Sequence, residues 1–131
     1  MLFKNSKAFS SFSVDDLDKA KKFYGETLGL KVKDTPEGLE LHLAGATMPV
    51  FIYPSDDYHA PEHTVLNFIV DDIDAAVADL KKRGIAMEHY DQPGIKTDAI
   101  GIMHTKAGDP GPKSIAWFKD PAGHILSVLS Q

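Results

Sequence analysis

In the stretch Leu39-Glu40-Leu41-His42-Leu43 a carboxylate and an imidazole alternate with leucines. Alternate residues of an extended strand share a face. With the leucines turned towards a core, Glu40 and His42 are expected together on the opposite face. Such a pair offers a general base, because histidine titrates near neutrality. Joined by His63, it would offer a facial set of metal donors. A polar lining or a solvated strand face is the plainer alternative. His89, which follows Glu88, and His104 are further candidates for a base, while His59 lies in a polar linker and His124 in a tight turn. Tyr90, Asp91 and Asp98 border or occupy an irregular segment, as hinge contacts to a ligand or simple turn residues. There is no cysteine, which excludes disulfides, thiolate metal sites and cysteine nucleophiles. No G-x-S-x-G elbow, glycine-rich phosphate loop or H-E-x-x-H motif is present.

The elements that must position these residues are written twice. FSVDDLDKA at 12–20 returns as FIVDDIDAA at 68–76, and the Phe, Val, three Asp and final Ala are identical in the two copies. Each copy starts with a strand, FSSFSV (9–14) or TVLNFIV (64–70), and then meets an Asp pair suited to capping a helix. From Leu17 the residues Ala20, Phe23, Tyr24 and Leu28 fall at helical spacing, as do Ile73, Ala76, Val77 and Leu80 in the second copy. Gly29 and Gly84 are the expected helix stops. Fresh strands are expected at 30–34 and 85–90. Further strands are expected in GLELHLA and PVFIY, and in SIAWF and ILSVL around the DPAG turn.

Each copy therefore reads β-α-β-β-β, and the chain reads as one α+β domain, 1–131. Module one covers 1–57 and module two 58–131, with the boundary in PSDDYHAPEH (54–63). About 60 residues bury little core alone, so these are half-domains. The segment 91–113 carries glycines and prolines at both ends and an apolar middle, with room for a short strand around AIGIMH. Long insertions of this kind are lids or rims about as often as plain surface loops.

Composition narrows the partners. The formal charge is −5 with no basic block, which argues against nucleic acid. The opening MLFKNSKAFSSFSV is too polar for a secretory leader, and no apolar run approaches a membrane span. A soluble cytoplasmic protein is expected.

VDDLDKAKKFYGETLGLKV (14–32), VDDIDAAVADLKKRG (70–84) and FKDPAGHILSV (118–128), in this order and spacing, resemble the vicinal oxygen chelate superfamily: the glyoxalase, bleomycin-resistance and extradiol-dioxygenase group. The resemblance spans essentially the whole chain. It implies two βαβββ modules forming a curved mixed sheet around a cup, a ligand in that cup, and often a homodimer. Metal-dependent members place His and Glu on inward strand positions, where they hold a divalent Lewis acid. Carried over residue by residue, those positions are Phe9, Val65 and Ser127, and the last strand of module one, MPVFIY (48–53), has no His or carboxylate. Phe and Val cannot ligate, and a neutral Ser is a poor transition-metal donor. No cofactor is therefore expected.

Alternation puts Phe9, Ser11 and Ser13 on one face of the first strand and Val65, Asn67 and Ile69 on the matching face of its twin. Phe12, Val14, Leu66, Phe68 and Val70 then pack under the helices. Trp117, the only tryptophan, is expected on the cup face in preference to Phe118, with a core or interface Trp as the alternative. The expected ligand contacts are Phe9, Ser13, Glu40, His42, Asn67, Trp117 and Ser127. The expected function is metal-free binding or sequestration of a small, partly apolar organic molecule, as in the drug-sequestering relatives. The alternative is a glyoxalase-like lyase or isomerase, or a dioxygenase. It would use a divalent metal displaced to Glu40, His42 and His63, or a base such as Glu40 or His42. A purely structural dimerising module is the weakest reading.

Overall fold

The computed structural model describes residues 2–131, and the chain divides into two compact units with the boundary between His59 and Ala60. After a short 3-10 turn at Leu2–Asn5, the first unit runs β1 (Ser11–Val14), α1 (Leu17–Lys22), β2 (Lys31–Asp34), β3 (Leu39–His42) and β4 (Val50–Pro54). The second runs β5 (Thr64–Ile69), α2 (Ile73–Lys82), β6 (Asp91–Gln92), β7 (Ile95–Lys96), β8 (Ile102–His104), β9 (Ser114–Lys119) and β10 (Ile125–Ser130).

The two units repeat one mixed topology. In the first sheet the order is β1-β4-β3-β2, with β1 parallel to β4 and the other pairs antiparallel. In the second it is β5-β10-β9-β8, with β5 parallel to β10. The chain thus has the α+β fold expected, two βαβββ modules, each with a helix on one sheet face.

In each duplicated Asp pair the second Asp works as the cap. Asp16 Oδ1 accepts the Lys19 N–H at 3.1 Å, and Asp72 Oδ1 accepts that of Ala75 at 3.1 Å. Both caps hold extended backbone while satisfying a donor left over at the helix start. The first helix does not run on as a regular α-helix to Leu28: after Lys22 it widens into a π turn, Phe23–Thr27. That turn carries Phe23 and Tyr24 inward, edge-to-face with ring centroids 5.1 Å apart. Tyr24 also meets Phe12 at 6.1 Å, so the helix sits on the Phe12/Val14 face of β1.

Val14, Tyr24, Leu39, Leu41 and Ile52 are essentially fully buried and form the first core. The second core joins Ile73, Val77 and Leu80 of α2 to Ala116, Phe118, Leu126 and Val128 of the sheet beneath, with Ile85 and Ile102 at its rim. Burying each large aliphatic or aromatic side chain contributes about 1.5–3 kcal/mol relative to leaving it in water. The dense inward faces therefore fix which residues are left on the other face.

One expected strand is absent. Residues 85–90 form a single bridge, Met87 to Phe118, and Glu88 N–H donates to the Trp117 carbonyl at 2.8 Å. There the chain leaves the edge of β9, forms the β6–β7 hairpin, and returns as β8, which pairs Ile102 with Ala116 and His104 with Ser114. Tyr90 and Thr97 close the hairpin, Thr97 Oγ1 accepting the Tyr90 N–H at 2.9 Å. The segment 91–113 is thus a hairpin, an edge strand and a turn rather than a single loop. Gly101, at φ 95°, lets the two ends of the excursion meet, since a Cβ there would lie 3.0 Å from Met87 Cβ.

The D-P-x-G turn is built around a buried carboxylate. Asp120 Oδ1 accepts the N–H groups of Ala122 and His124 at 3.0 and 2.8 Å. His124 is itself buried, in keeping with a structural role.

Candidate functional site

Leu39, Leu41 and Ile52 point into the first core, so strand parity leaves their neighbours on the opposite face. Register then aligns that face in rows. Ser11 lies beside Phe51 and Ser13 beside Tyr53 across β1–β4, Glu40 faces Phe51 across β3–β4, and Lys33 and Lys31 face Glu40 and His42 across β2–β3. Phe51 and Tyr53 stack with ring centroids 6.1 Å apart and planes 16° from parallel. His42 Nε2 and Glu40 Oε1 lie 3.1 Å apart, both side chains about one-third exposed. The pair expected from the L-E-L-H-L alternation is therefore assembled.

Against these residues lies an open pocket of about 260 Å³, lined by Phe9, Glu37, Glu40, Met48, Pro49 and Phe51. Phe9 and Glu40 are among the expected contacts; His42 touches Glu40 without being part of the described lining, and Ser13 lies beside Tyr53. Phe51, Met48, Pro49 and Glu37 were not singled out. The usable signal was in V-F-I-Y: once Ile52 is given to the core, Phe51 and Tyr53 must share the other face. Phe9 remains 60 % exposed in this setting. An exposed aromatic beside an apolar pocket has its ring available to a ligand.

The second unit carries its own row. Ser127 on the middle strand lies between Asn67 of β5 and Trp117 of β9. The Ser127 hydroxyl donates to Asn67 Oδ1, and Ser127 is fully buried. Trp117 rather than Phe118 shares this face; Phe118 is 1 % exposed in the core. Tyr90 meets Trp117 edge-on, centroids 5.4 Å apart. Burial, and then the charge of Glu88, push the Tyr90 phenol above its ordinary value, with Lys119 opposing. Lys119 Nζ is 3.4 Å from Glu88 Oε1 across the bridge. The register of β5 against β10 steps by one residue at Val65.

The remaining candidates disperse. His63 is exposed in the bend before β5, and His59 sits 3.5 Å from Asp57 with both side chains almost wholly in solvent. His104 Nε2 lies 3.3 Å from Asp98 Oδ2. Asp98 Oδ1 accepts the Ile100 and Ile102 N–H groups at 3.0 and 2.9 Å. Partial burial pushes the Asp98 carboxyl up, but these donors and His104 outweigh it and hold it below its ordinary value. Asp98 thus closes a turn. Exposed His89 lines a groove between α2 and residues 99–100. Among the described residues no three His, Asp or Glu side chains gather as a metal site. The ligand positions that the resemblance implies carry Phe9, Val65 and Ser127, side chains whose chemistry does not fit a divalent metal.

A sequence model of the Glyoxalase/Bleomycin resistance protein/Dioxygenase superfamily matches residues 9–128. No curated protein matches the chain. Among solved structures, the glyoxalase family protein from Enterococcus faecalis superposes with TM-score 0.66 at 22% identity, covering 97% of this chain and 98% of that one. TnmS3, an antibiotic binding protein from Streptomyces sp. CB03234, gives 0.62 at 25% identity, covering 96% and 97%. The genomically encoded fosfomycin resistance protein FosX from Listeria monocytogenes gives 0.69 at 14% identity, covering 97% and 93%. Its likeness, and that of the Enterococcus protein, establishes the fold alone. Among the described residues no helix is long and apolar enough to cross a membrane.

Proposed function

The chain belongs to the glyoxalase/bleomycin resistance protein/dioxygenase superfamily, and from that premise we propose that it binds a small, partly apolar organic molecule without a resident metal. The observation that carries this reading is the pocket against β3 and β4, where Phe9, Met48, Pro49 and Phe51 surround a single strand carboxylate, Glu40. Small-molecule sites combine mostly apolar walls with a few placed polar groups, and this lining has that composition. The similarity to an antibiotic binding protein at 25% identity agrees with a binding role. On the other unit Asn67 and Trp117 flank the buried Ser127 in a row of the same mixed character.

Native mass spectrometry and metal analysis of protein purified without chelator test this directly. Retained organic mass without metal is the expected result, and its binding should be lost in Phe9→Glu with Phe51→Ala. Near-stoichiometric Ni, Zn, Mn or Fe would overturn the metal-free reading.

A second reading, catalysis by a His/Glu base, is favoured by one observation: the 3.1 Å contact between His42 and Glu40. Such a contact holds an imidazole in one orientation, as general-base sites require. Turnover of a glyoxalase-type substrate that disappears in both His42→Gln and Glu40→Gln would establish it. Turnover that survives both variants would remove it.

A further inference from the structure

Among the described residues, the lining of the β3–β4 pocket contains two carboxylates, Glu37 and Glu40, and no basic side chain. Glu40 is placed at a cost. Its side chain is about two-thirds withdrawn from water, and its cross-strand neighbour is the Phe51 ring. A carboxylate at an apolar wall loses hydration that a bound ligand must replace. A neutral apolar ligand would strip more water from it and return nothing. An anion would meet like charge where solvent screening is reduced.

The aromatic residues point the same way independently. Phe9 and Phe51 line the pocket, and Phe51 is held parallel to Tyr53. Ring faces carry negative electrostatic potential and attract a cation within about 6 Å. His42 occupies Glu40 Oε1, which leaves the second carboxylate oxygen as an acceptor for a ligand N–H. Lys33 is the competing cation. It faces Glu40 across β2–β3, but it does not line the pocket and makes no ion pair with Glu40 among the described residues.

Resting on the binding reading above, we propose that this pocket selects a flat aromatic molecule bearing a protonated nitrogen, with Glu40 and Glu37 as its counter-charges. A volume near 260 Å³ holds a mono- or bicyclic ring system and leaves larger ligands to extend beyond it. The charged nitrogen lies over the Phe9 and Phe51 faces and donates to Glu40.

The test is calorimetric or fluorescence titration of the full chain at neutral pH with three bicyclic probes of closely similar shape: 4-aminoquinolinium, neutral 1-naphthylamine and anionic 1-naphthoate. The cation should bind about tenfold or more tightly than the neutral amine, and the anion worst, since one half-buried counter-charge is worth about that factor. Glu40→Gln should remove most of the preference, and Glu37→Gln, on an exposed turn, part of it. Lys33→Ala should strengthen the cation. Equal affinity for cation and neutral amine, or a preference that survives the double Gln variant, would overturn the charge selection while leaving ligand binding intact. Failure of all three probes to bind would instead remove the pocket itself as the binding site, and the proposal with it.

Discussion

Replacing Gly101 by Ala tests the interrupted edge strand of the second unit. At φ 95° a side chain enters backbone space that L-residues avoid, at a cost of about 1–2 kcal/mol. The new methyl would also lie 3.0 Å from Met87 Cβ and 3.3 Å from the Glu88 carbonyl oxygen, both backbone-anchored. Overpacking of that kind adds about 1 kcal/mol. Gly94→Ala provides the control, because Gly94 has φ 85° and a methyl added there would meet nothing within 4 Å. The two variants thus share the backbone cost, and their difference isolates the contact. For a chain of this length about 1 kcal/mol corresponds to about 3–5 °C in melting temperature. Gly101→Ala should therefore melt about 10 °C below the parent and about 3–5 °C below Gly94→Ala. Hydrogen exchange should show loss of protection at Ile102–His104, where β8 pairs with β9, with β5 and β10 unaffected. If Gly101→Ala melts no lower than Gly94→Ala, the two ends of the excursion do not close on each other and the account of the split edge is wrong.

Two further outcomes follow from single interactions. Asp16→Ala and Asp72→Ala should each cost about 1 kcal/mol in urea unfolding, the usual worth of an N-cap, and restoring Ser or Asn should recover most of it. Asp98 has its carboxyl held below the ordinary value of 3.8, so the folded state binds its proton less readily than the unfolded chain does. Its contribution to stability is present above that value and is lost as pH falls through the folded one. The stability gap between the parent and Asp98→Ala should accordingly be constant near neutrality and shrink only below about pH 4; a gap unchanged at pH 2 would refute the role given to its hydrogen bonds.

Much of this protein was legible without coordinates because its signals are local. The repeated Asp pair states where two helices begin, since a cap needs only its own next three residues. The L-E-L-H-L alternation states that Glu40 and His42 share a face, because strand parity follows from the pleat. The same parity placed Ser13 and Phe12, and Asn67 and Phe68, on opposite faces. With the spacing of the D-P-x-G turn, these features were enough to identify the superfamily over most of the chain.

What tertiary structure decided is pairing. Residues 85–90 have strand composition, yet the edge of β9 can hold only one partner at each position, and β8 takes Ser114–Ala116, leaving them only the bridge at Phe118 and the bond to the Trp117 carbonyl. Their sequence cannot reveal that competition, because the winning residues lie beyond a hairpin. The pocket is decided in the same way. Phe51 joins Glu40 and Ser11 only through the register of three strands, two of them separated by the whole of α1 and β2. Alternation tells each strand which side chains face outward; only the hydrogen-bonded ladder determines which outward side chains become neighbours, and so which chemistry the face presents.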